Sequence, residues 1–205
     1  MKTVAKQTTA SFREKGSKFI GHLFPSETKD EFSRQLSGIT SRYPDATHHC
    51  YAYRVDPTDP QEFAQDDGEP RGTAGLPILN QLKSAELVNA GLVVVRYYGG
   101  TNLGTSGLIE AYGHTARCCA EKADLFTLIP TLNIELRYPY HRQNEIDQLA
   151  SSFDLTELDA TYLAAVTLVL ASPLDKSDQL TRKLDKMVHL EIQYEILGES
   201  FVIHQ

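Results

Sequence analysis

The segment Gly91-Leu92-Val93-Val94-Val95-Arg96-Tyr97-Tyr98 is the strongest signal for a buried strand in this chain of 205 residues. Its β-branched and aromatic residues favour an extended conformation, and its length suits a strand better than a helix. It continues through four glycines into a predicted helix from Leu108 to about Lys122 that is rich in small residues. The sequence therefore predicts a strand, a glycine loop and a helix at the centre of an α/β domain.

The remaining N-terminal residues supply further strands and helices around this unit. Thr28 to Glu31 is a capping box, in which a hydroxyl and a carboxylate satisfy free backbone N–H groups, so it predicts the start of a helix that ends near Ser41. Asp-Gly and Glu-Pro in residues 66–70 oppose regular structure and predict a loop. The other predicted elements are two strands within residues 4–22 joined near Lys15-Gly16, a strand from His48 to Val55, and a helix from about Leu76 to Leu87.

The C-terminal residues follow a simpler pattern of alternating strands and helices. Period-2 alternation predicts strands, and apolar residues spaced by three and four predict helices. The predicted order is strand 132–137, helix 146–153, strand 155–161, strand 162–170, a helix capped by Asp175 or Ser177 that runs to Val188, and strand 190–196. This β-α-β-β-α-β order is a ferredoxin-like arrangement. Pro130 marks the predicted boundary, so we expect an α+β protein with domains at residues 1–128 and 131–205.

The composition predicts where the protein is located and the state of its cysteines. No run of about 18 apolar residues occurs, and the first residues lack the apolar stretch of a signal peptide, which predicts a cytoplasmic protein without membrane contact. The three cysteines form neither an even disulfide set nor a CxxC pair. We expect them to be reduced, small buried residues.

The net charge of −7 is unevenly distributed. Residues 1–128 carry 14 Lys and Arg against 15 Asp and Glu, whereas residues 129–205 carry 6 against 12. Diffuse attraction to nucleic acid depends on clustered Lys and Arg, and neither half provides a broad basic face. Any contact with RNA is therefore expected to be local.

The glycine loop is the first candidate site. Glycines let the backbone approach a ligand, and the free N–H groups at a helix N-terminus attract anions, so a phosphate-bearing ligand is expected there. Arg96 and Lys83 could add charge. The pattern matches neither GxxxxGKS nor GxGxxG, and a tight strand-to-helix connection explains the glycines equally well. The residues of this candidate are Gly99, Gly100, Gly104 and Gly107, with polar donors from Thr101, Asn102, Thr105 and Ser106.

A polar loop and a histidine pair form the second candidate. Carboxylates and imidazoles suit a metal or an acid/base site, but adjacent histidines in a strand point to opposite faces, so at most one is expected to join a site. No HExxH or calcium-loop pattern occurs, and we predict no metal and no cofactor. A solvated acidic turn beside a packed histidine is the alternative. The residues are His48, His49, Asp66, Asp67, Glu69, Arg71 and Thr73.

Two further features of the sequence are candidate sites. Tyr97 and Tyr98 offer a stacking surface for a base, although aromatic residues at the end of a central strand commonly serve packing. Cys118 and Cys119 lie in a helix interior without a base partner evident in the sequence. No catalytic residue is therefore predicted.

Four motifs in a fixed order resemble the N-terminal domain of the IMPACT family, in its bacterial form. They are Pro44 to Cys50, Asp66 to Pro70, Gly72 to Gly75, and Val94 to Gly100 with its continuation through Leu103-Gly104 and Gly107-Leu108. The resemblance implies an N-terminal α/β sandwich similar to the second domain of ribosomal protein S5. It also implies a C-terminal domain similar to the last domain of elongation factor G. Eukaryotic relatives are regulators of translation that carry an additional RWD domain, which the first residues here do not resemble.

Two functions follow from these observations. The first is a non-enzymatic, translation-associated regulator that binds RNA, the ribosome or a translation factor through the glycine loop and the polar loop. The second is an enzyme or sensor that binds a nucleotide or another phosphorylated small molecule, as small-molecule kinases with an S5-like fold do. No lysine or carboxylate pair stands out for phosphoryl transfer.

Overall fold

The computed structural model describes residues 1–204, which divide into two compact units at residues 1–127 and 128–204. Strand β7 (Leu125–Tyr138) passes through this boundary. The strand therefore runs through Pro130, where the sequence predicts the domain boundary. Pro130 lies between Leu125–Thr127, which pair with β1 (Lys2–Val4), and Thr131–Tyr138, which pair with β9 (Val166–Pro173).

The first unit is built on a five-stranded antiparallel sheet in the order β2-β3-β6-β4-β5. Lys15 and Gly16 both have positive φ, 45° and 81°, which is the turn that suits a two-residue hairpin, and the predicted hairpin is confirmed. The strands are β2 (Thr8–Glu14), β3 (Ser17–Pro25), β4 (His48–Val55), β5 (Gln61–Gln65) and β6 (Ala90–Tyr97).

Helices cover both faces of this sheet. Helix α1 (Lys29–Arg42) packs on one face, and helices α2 (Gly75–Ser84) and α3 (Gly104–Lys122) pack on the other. Strand β6 is buried on both sides because Leu92 and Val94 join the α2/α3 core while Val93 and Val95 join the α1 core. No helix within residues 1–204 is long and apolar enough to cross a lipid bilayer.

Helix boundaries follow local chemistry in some places and depart from prediction in others. The capping box is confirmed, since the Glu31 N–H donates to Thr28 Oγ1 at 3.2 Å. Helix α2 ends at Ser84 rather than Leu87 because Glu86 adopts a left-handed conformation, φ 56°, and the Leu87 N–H returns to the Leu82 carbonyl. Helix α3 begins at Gly104, four residues before the predicted start.

The second unit has the predicted order of strands and helices. Its strands pair in the order β10-β7-β9-β8, and helices α4 and α5 supply apolar side chains to its separate core. The elements after β7 are α4 (Gln143–Phe153), β8 (Thr156–Tyr162), β9 (Val166–Pro173), α5 (Ser177–Asp185) and β10 (Gln193–His204).

Several details of the second unit differ from prediction. Residues 163–165 form the turn between β8 and β9 instead of strand, and Leu163 is 75% exposed. Neither Asp175 nor Ser177 caps α5, because a short 3-10 turn over Leu174–Lys176 leads into it. Helix α5 ends at Asp185 rather than Val188, and Val188 and Ile196 are about half exposed.

Candidate functional site

A cleft of about 430 Å³ opens at the start of helix α3. It is formed where the ends of β4 and β6 meet the loop before α2 and the first turn of α3. The residues that line this cleft are Thr47, His48, Glu69, Pro70, Arg96, Tyr98, Asn102, Leu103, Gly104, Thr105 and Leu108. Members of both predicted candidate sites thus lie around one cavity.

A buried ion pair lies at the floor of the cleft. Arg96 Nη1 donates to Glu69 Oε1 at 2.5 Å, and the two side chains are only 6% and 4% exposed. Arg96 reaches this position because it occupies the same face of β6 as Leu92 and Val94. Its second amino group lies 3.4 Å from Ser17 Oγ, which also accepts the Gly99 N–H.

The guanidinium of Arg96 is held between two aromatic rings. Its central carbon lies 5.5 Å from the centroid of the Phe19 ring and 5.5 Å from that of the Tyr98 ring. A cation over an aromatic face is attracted to the ring. Tyr98 is also positioned by its N–H, which donates to Thr47 Oγ1, and by its hydroxyl, which donates to Asn102. Even so, 46% of Tyr98 stays exposed, and part of this surface lines the cleft.

A chain of buried polar groups supports Glu69 from below. The Tyr112 hydroxyl donates to Glu69 Oε1 at 2.8 Å, and Cys50 Sγ lies 3.3 Å from the Tyr112 oxygen and 2.9 Å from the Asp66 carbonyl. The pKa of Tyr112 is raised, mainly by burial and to a smaller extent by the neighbouring Cys50 and Glu69. Burial is also the main reason why the pKa of Cys50 is raised. Tyr112 and Cys50 therefore stay protonated and act as fixed donors.

His48 and His49 point to opposite sides of β4, as the alternation of a strand requires. His48 lies on the cleft side, with Nδ1 2.6 Å from the Asp67 carbonyl oxygen and Nε2 3.8 Å from Glu69 Oε1. His49 lies on the α1 side, where Nε2 is 3.1 Å from the Tyr43 carbonyl. Only one histidine joins the cleft.

The predicted acidic loop is an organised connection. The Asp66 carboxylate accepts hydrogen bonds from the backbone N–H groups of Gly72, Ala74 and Gly75 at 2.8 to 3.0 Å. Burial opposes ionisation of Asp66, but these three donors together lower its pKa. Asp66 therefore satisfies N–H groups at the start of α2, where the N-cap residue Ala74 offers no side-chain hydrogen bond. Within residues 1–204, no three His, Cys, Asp or Glu side chains are grouped in a way that could hold a metal ion.

The glycine loop, residues 99–107, is largely exposed. It leads to the start of α3, which has no side-chain cap. Gly100 and Gly104 have φ of 84° and 71°, which glycine adopts without strain. The first N–H groups of an α-helix have no partner within the helix, and at Gly104, Thr105 and Ser106 no other described group accepts them. Gly104 and Thr105 line the cleft, whereas Ser106 lines a neighbouring cavity.

Several predicted site residues lie outside the lining of the cleft. Asp67 receives the His49 N–H, and Thr73 is buried with its hydroxyl on the Pro70 carbonyl. Gly107 lines a neighbouring cavity of about 310 Å³ on the other side of the α3 start. The predicted residues outside the lining are His49, Asp66, Asp67, Arg71, Thr73, Lys83, Tyr97, Gly99, Gly100, Thr101, Ser106 and Gly107.

Three residues that build the site were missed as site residues. Ser17 and Tyr112 contact the ion pair, and Thr47 positions Tyr98. Tyr112 lies on the apolar stripe of α3, so its pattern indicates packing only. Ser17 is 79 residues from Arg96, and no local signal connects the two.

The comparisons with known proteins agree with the motif order. Residues 15–120 match the Impact N-terminal domain. The chain is also 35% identical over 172 residues to the IMPACT family member YigZ of Escherichia coli, covering 83% of this chain and 84% of that protein. The chain belongs to the IMPACT family. It is a bacterial, YigZ-type member, and the predicted resemblance is confirmed.

A solved structure and a rat protein are also similar to this family member. A solved structure titled "Crystal structure of an hypothetical protein" superposes with a TM-score of 0.65 at 31% identity, covering 94% of this chain and 95% of that chain. Protein IMPACT of Rattus norvegicus is 35% identical over 114 residues, which are 53% of this chain and 34% of the rat protein. Similarity to the rat protein is therefore confined to part of each chain.

Proposed function

We propose that this IMPACT family member is a translation-associated regulator that binds a single-stranded or looped segment of RNA, free or within the ribosome, without catalysis. One observation carries the proposal. The uncapped start of a 19-residue helix opens onto the same cleft as the exposed ring of Tyr98 and the buried guanidinium of Arg96. A phosphate site thus lies beside a stacking surface, and nucleic acid provides both partners.

Helix α3 provides the phosphate site. The free N–H groups at Gly104 and Thr105 and the positive end of the helix dipole favour an anion. Arg96 at the floor is paired with Glu69 and its Nε is sealed from solvent, so the anion site depends on the helix start. Thr105 also lines the cleft, and its hydroxyl supplies a further donor to a phosphate oxygen.

Tyr98 provides the stacking surface. Proteins that bind single-stranded nucleic acid stack bases on exposed aromatic side chains, which contribute about 1–3 kcal/mol per base. Thr47 and Asn102 hold Tyr98 in place, so little conformational entropy is lost when a base stacks on it.

The charge distribution supports a small contact. The 14 Lys and Arg of residues 1–128 are balanced by 15 Asp and Glu, and the remaining residues are acidic. Binding through one or two phosphates gives a shallow salt dependence, with a logarithmic slope of about −0.7 per phosphate for single strands. We therefore expect affinity to change only modestly between low and physiological salt.

The link to translation is supported by fold and family. The second unit combines a β-α-β-β-α-β order with the strand order β10-β7-β9-β8, which is the split βαβ arrangement of ferredoxin-like domains. We infer that this unit is the ferredoxin-like, elongation factor G-like domain, and that residues 1–127 form the S5-like domain. Both assignments are to modules that work on the ribosome, which fits a cytoplasmic protein.

A charge substitution at the start of α3 tests the proposal. Thr105→Glu places a carboxylate at the anion site, where it repels phosphate but favours the helix dipole by about 0.3–1 kcal/mol. Asn144→Glu is the matched control, because it places the same charge at the second position of α4. We expect Thr105→Glu to abolish co-sedimentation with ribosomes and binding of fluorescent single-stranded RNA, while Asn144→Glu leaves both unchanged.

The outcomes of this experiment are distinct. Equal binding by both variants would contradict a role for the cleft. Retention on ribosomes after loss of binding to free RNA would indicate a protein partner in place of RNA. Absence of wild-type protein from ribosomes and from RNA under all conditions, starvation included, would refute the proposal.

A small phosphorylated ligand is the second candidate, and the size of the cleft favours it. A volume of about 430 Å³ lies within the range of sites for small molecules. A ligand that binds the folded state raises the melting temperature by mass action. A thermal-shift screen of nucleotides that finds a specific, saturable stabilisation in wild type, absent in Thr105→Glu, would favour this candidate over RNA.

A further inference from the structure

The floor of the cleft carries an unused hydrogen-bond acceptor. Oε1 of Glu69 receives both Arg96 and Tyr112, whereas Oε2 accepts a hydrogen bond from none of the described residues. Unlike Arg96 Nε, Glu69 Oε2 is not sealed from solvent. Because Glu69 lines the cleft, this oxygen is available to a ligand.

His48 provides a second acceptor close by. Its Nδ1 lies 2.6 Å from the Asp67 carbonyl oxygen, which can only accept, so Nδ1 carries the proton. In the neutral ring, Nε2 is then an acceptor, and it lies 3.8 Å from Glu69 Oε1. The backbone contact of His48 thus fixes which ring nitrogen faces the cleft.

The floor favours neutral donors over a cation. Arg96 already neutralises the carboxylate, so a second cation would gain little there. Each amino group of Arg96 directs one contact to Glu69 or Ser17, and its Nε is sealed from solvent. A ligand edge with two neighbouring N–H donors complements this arrangement.

We infer that the cleft reads guanine, with the base stacked on Tyr98 and its Watson–Crick edge directed at Glu69 Oε2 and His48 Nε2. Guanine presents N1–H and the 2-amino group side by side, whereas uracil presents one N–H between two carbonyls. Adenine and cytosine place their amino group beside an acceptor nitrogen. Bases of single-stranded RNA are read on this edge. The inference rests on the proposed binding of RNA and adds a base preference to it.

Three oligonucleotides that differ at one position test the preference. They are a short oligouridine, the same oligomer with one central guanosine, and the same oligomer with inosine at that position, which lacks only the 2-amino group. A good paired contact to a base discriminates by about tenfold. We expect the wild-type protein to bind the guanosine oligomer about tenfold more tightly than oligouridine, with inosine between the two.

The variant Glu69→Gln tests whether the Glu69 carboxylate causes the preference for guanosine. The amide can keep its oxygen on Arg96 while its NH₂ faces the cleft, where it opposes the guanine donors. We expect the ratio of its affinities for the guanosine oligomer and for oligouridine to fall to about one. Glu62→Gln, at a solvent-accessible carboxylate with two basic partners, is the matched control and should retain the preference. If Glu69→Gln does not fold, the affinities of the wild-type protein for the guanosine and inosine oligomers test the preference without it.

The failure of this inference differs from the failure of the proposed function. Equal affinity for the three oligomers would overturn the guanine preference and leave RNA binding intact. A preference for guanosine that inosine fully retains would overturn the contact to the 2-amino group. Absence of binding to any oligomer, and to ribosomes, would overturn both.

Discussion

Arg96 and Glu69 form an ion pair across 27 residues of sequence, and it joins the end of β6 to the loop before α2. Both side chains are almost completely buried, and the aromatic rings of Phe19 and Tyr98 flank the guanidinium. The pair therefore fixes the floor of the cleft and the position of the loop at the same time. Stability and the shape of the site are coupled through one contact.

Removing one partner of this pair should lower the free energy of unfolding. Glu69→Ala leaves the Arg96 charge buried without its partner, and breaking such pairs destabilises by about 3–5 kcal/mol. Glu62→Ala is the control, since Glu62 also contacts two basic side chains but is 25% exposed, and pairs of that kind contribute about 0–1 kcal/mol. Urea denaturation measures both. Equal losses of unfolding free energy in the two variants would show that burial does not increase the contribution of the Arg96–Glu69 pair to stability.

The sequence predicted elements whose signal is local. The β6 run and the Thr28 capping box each contain their own physical cause, and both are present in the structure. Strand β5 was missed because Gln61 and Gln65 give it a polar composition. Its strand conformation comes from pairing with β4, a tertiary contact.

The site could be predicted only in part, for a related reason. The alternation of β4 indicates that one histidine of the pair faces the site, but choosing His48 requires knowing that it lies opposite Arg96 in the sheet. Polar residues in a loop look alike in sequence, whether they organise the backbone, as Asp66 does, or line a cavity, as Glu69 does. Partners separated by tens of residues have no spacing signal.

Acidification should destabilise the first unit through His22. Burial, followed by the positive charge of Arg42, lowers the pKa of His22 from 6.5 to about 4. Between these values the unfolded chain binds a proton that the folded chain does not, so stability falls as pH decreases from about 6.5 to about 4. Its buried Nε2 has no hydrogen-bond partner, and Gln7 contacts the other nitrogen.

Substitution of His22 isolates this contribution. The difference in unfolding free energy between wild type and His22→Gln should change by on the order of 2 kcal/mol between pH 7 and pH 4, with wild type losing more. Denaturation with urea at a series of pH values measures this difference. A constant difference for His22→Gln would show that this imidazole does not titrate differently on folding.

The three free cysteines should differ in reactivity in the native protein. Burial raises the pKa of Cys119 to about 11 and also raises that of Cys50, so both remain thiols at neutral pH. Cys118 is half-buried and within reach of reagent. The thiolate is the reactive form. We expect Ellman's reagent to modify one thiol rapidly in native protein and three after unfolding, and Cys118→Ser to remove the rapid phase. Rapid modification of a second thiol would contradict the burial of Cys50 and Cys119.

Gly99 should be the glycine that tolerates substitution least, because it packs backbone against backbone. A Cβ atom at Gly99 would lie 1.9 Å from the Gly16 carbonyl carbon and 2.1 Å from the Ser17 nitrogen, so the β2–β3 turn would have to move. Gly99→Ala should therefore cost about 2–3 kcal/mol or more, the upper range for overpacking. Moving that turn also displaces Ser17 from Arg96 and the Gly99 N–H.

The opposite outcome is expected for a glycine with free space. Gly38 lies within α1, and a Cβ atom there meets nothing within 4 Å. Alanine is favoured over glycine in a helix interior by about 0.5–1 kcal/mol, so Gly38→Ala should raise the melting temperature. Thermal unfolding followed by circular dichroism compares the two variants. A Gly99→Ala protein as stable as wild type would show that the β2–β3 turn yields easily, and the start of the glycine loop would then not be held by packing.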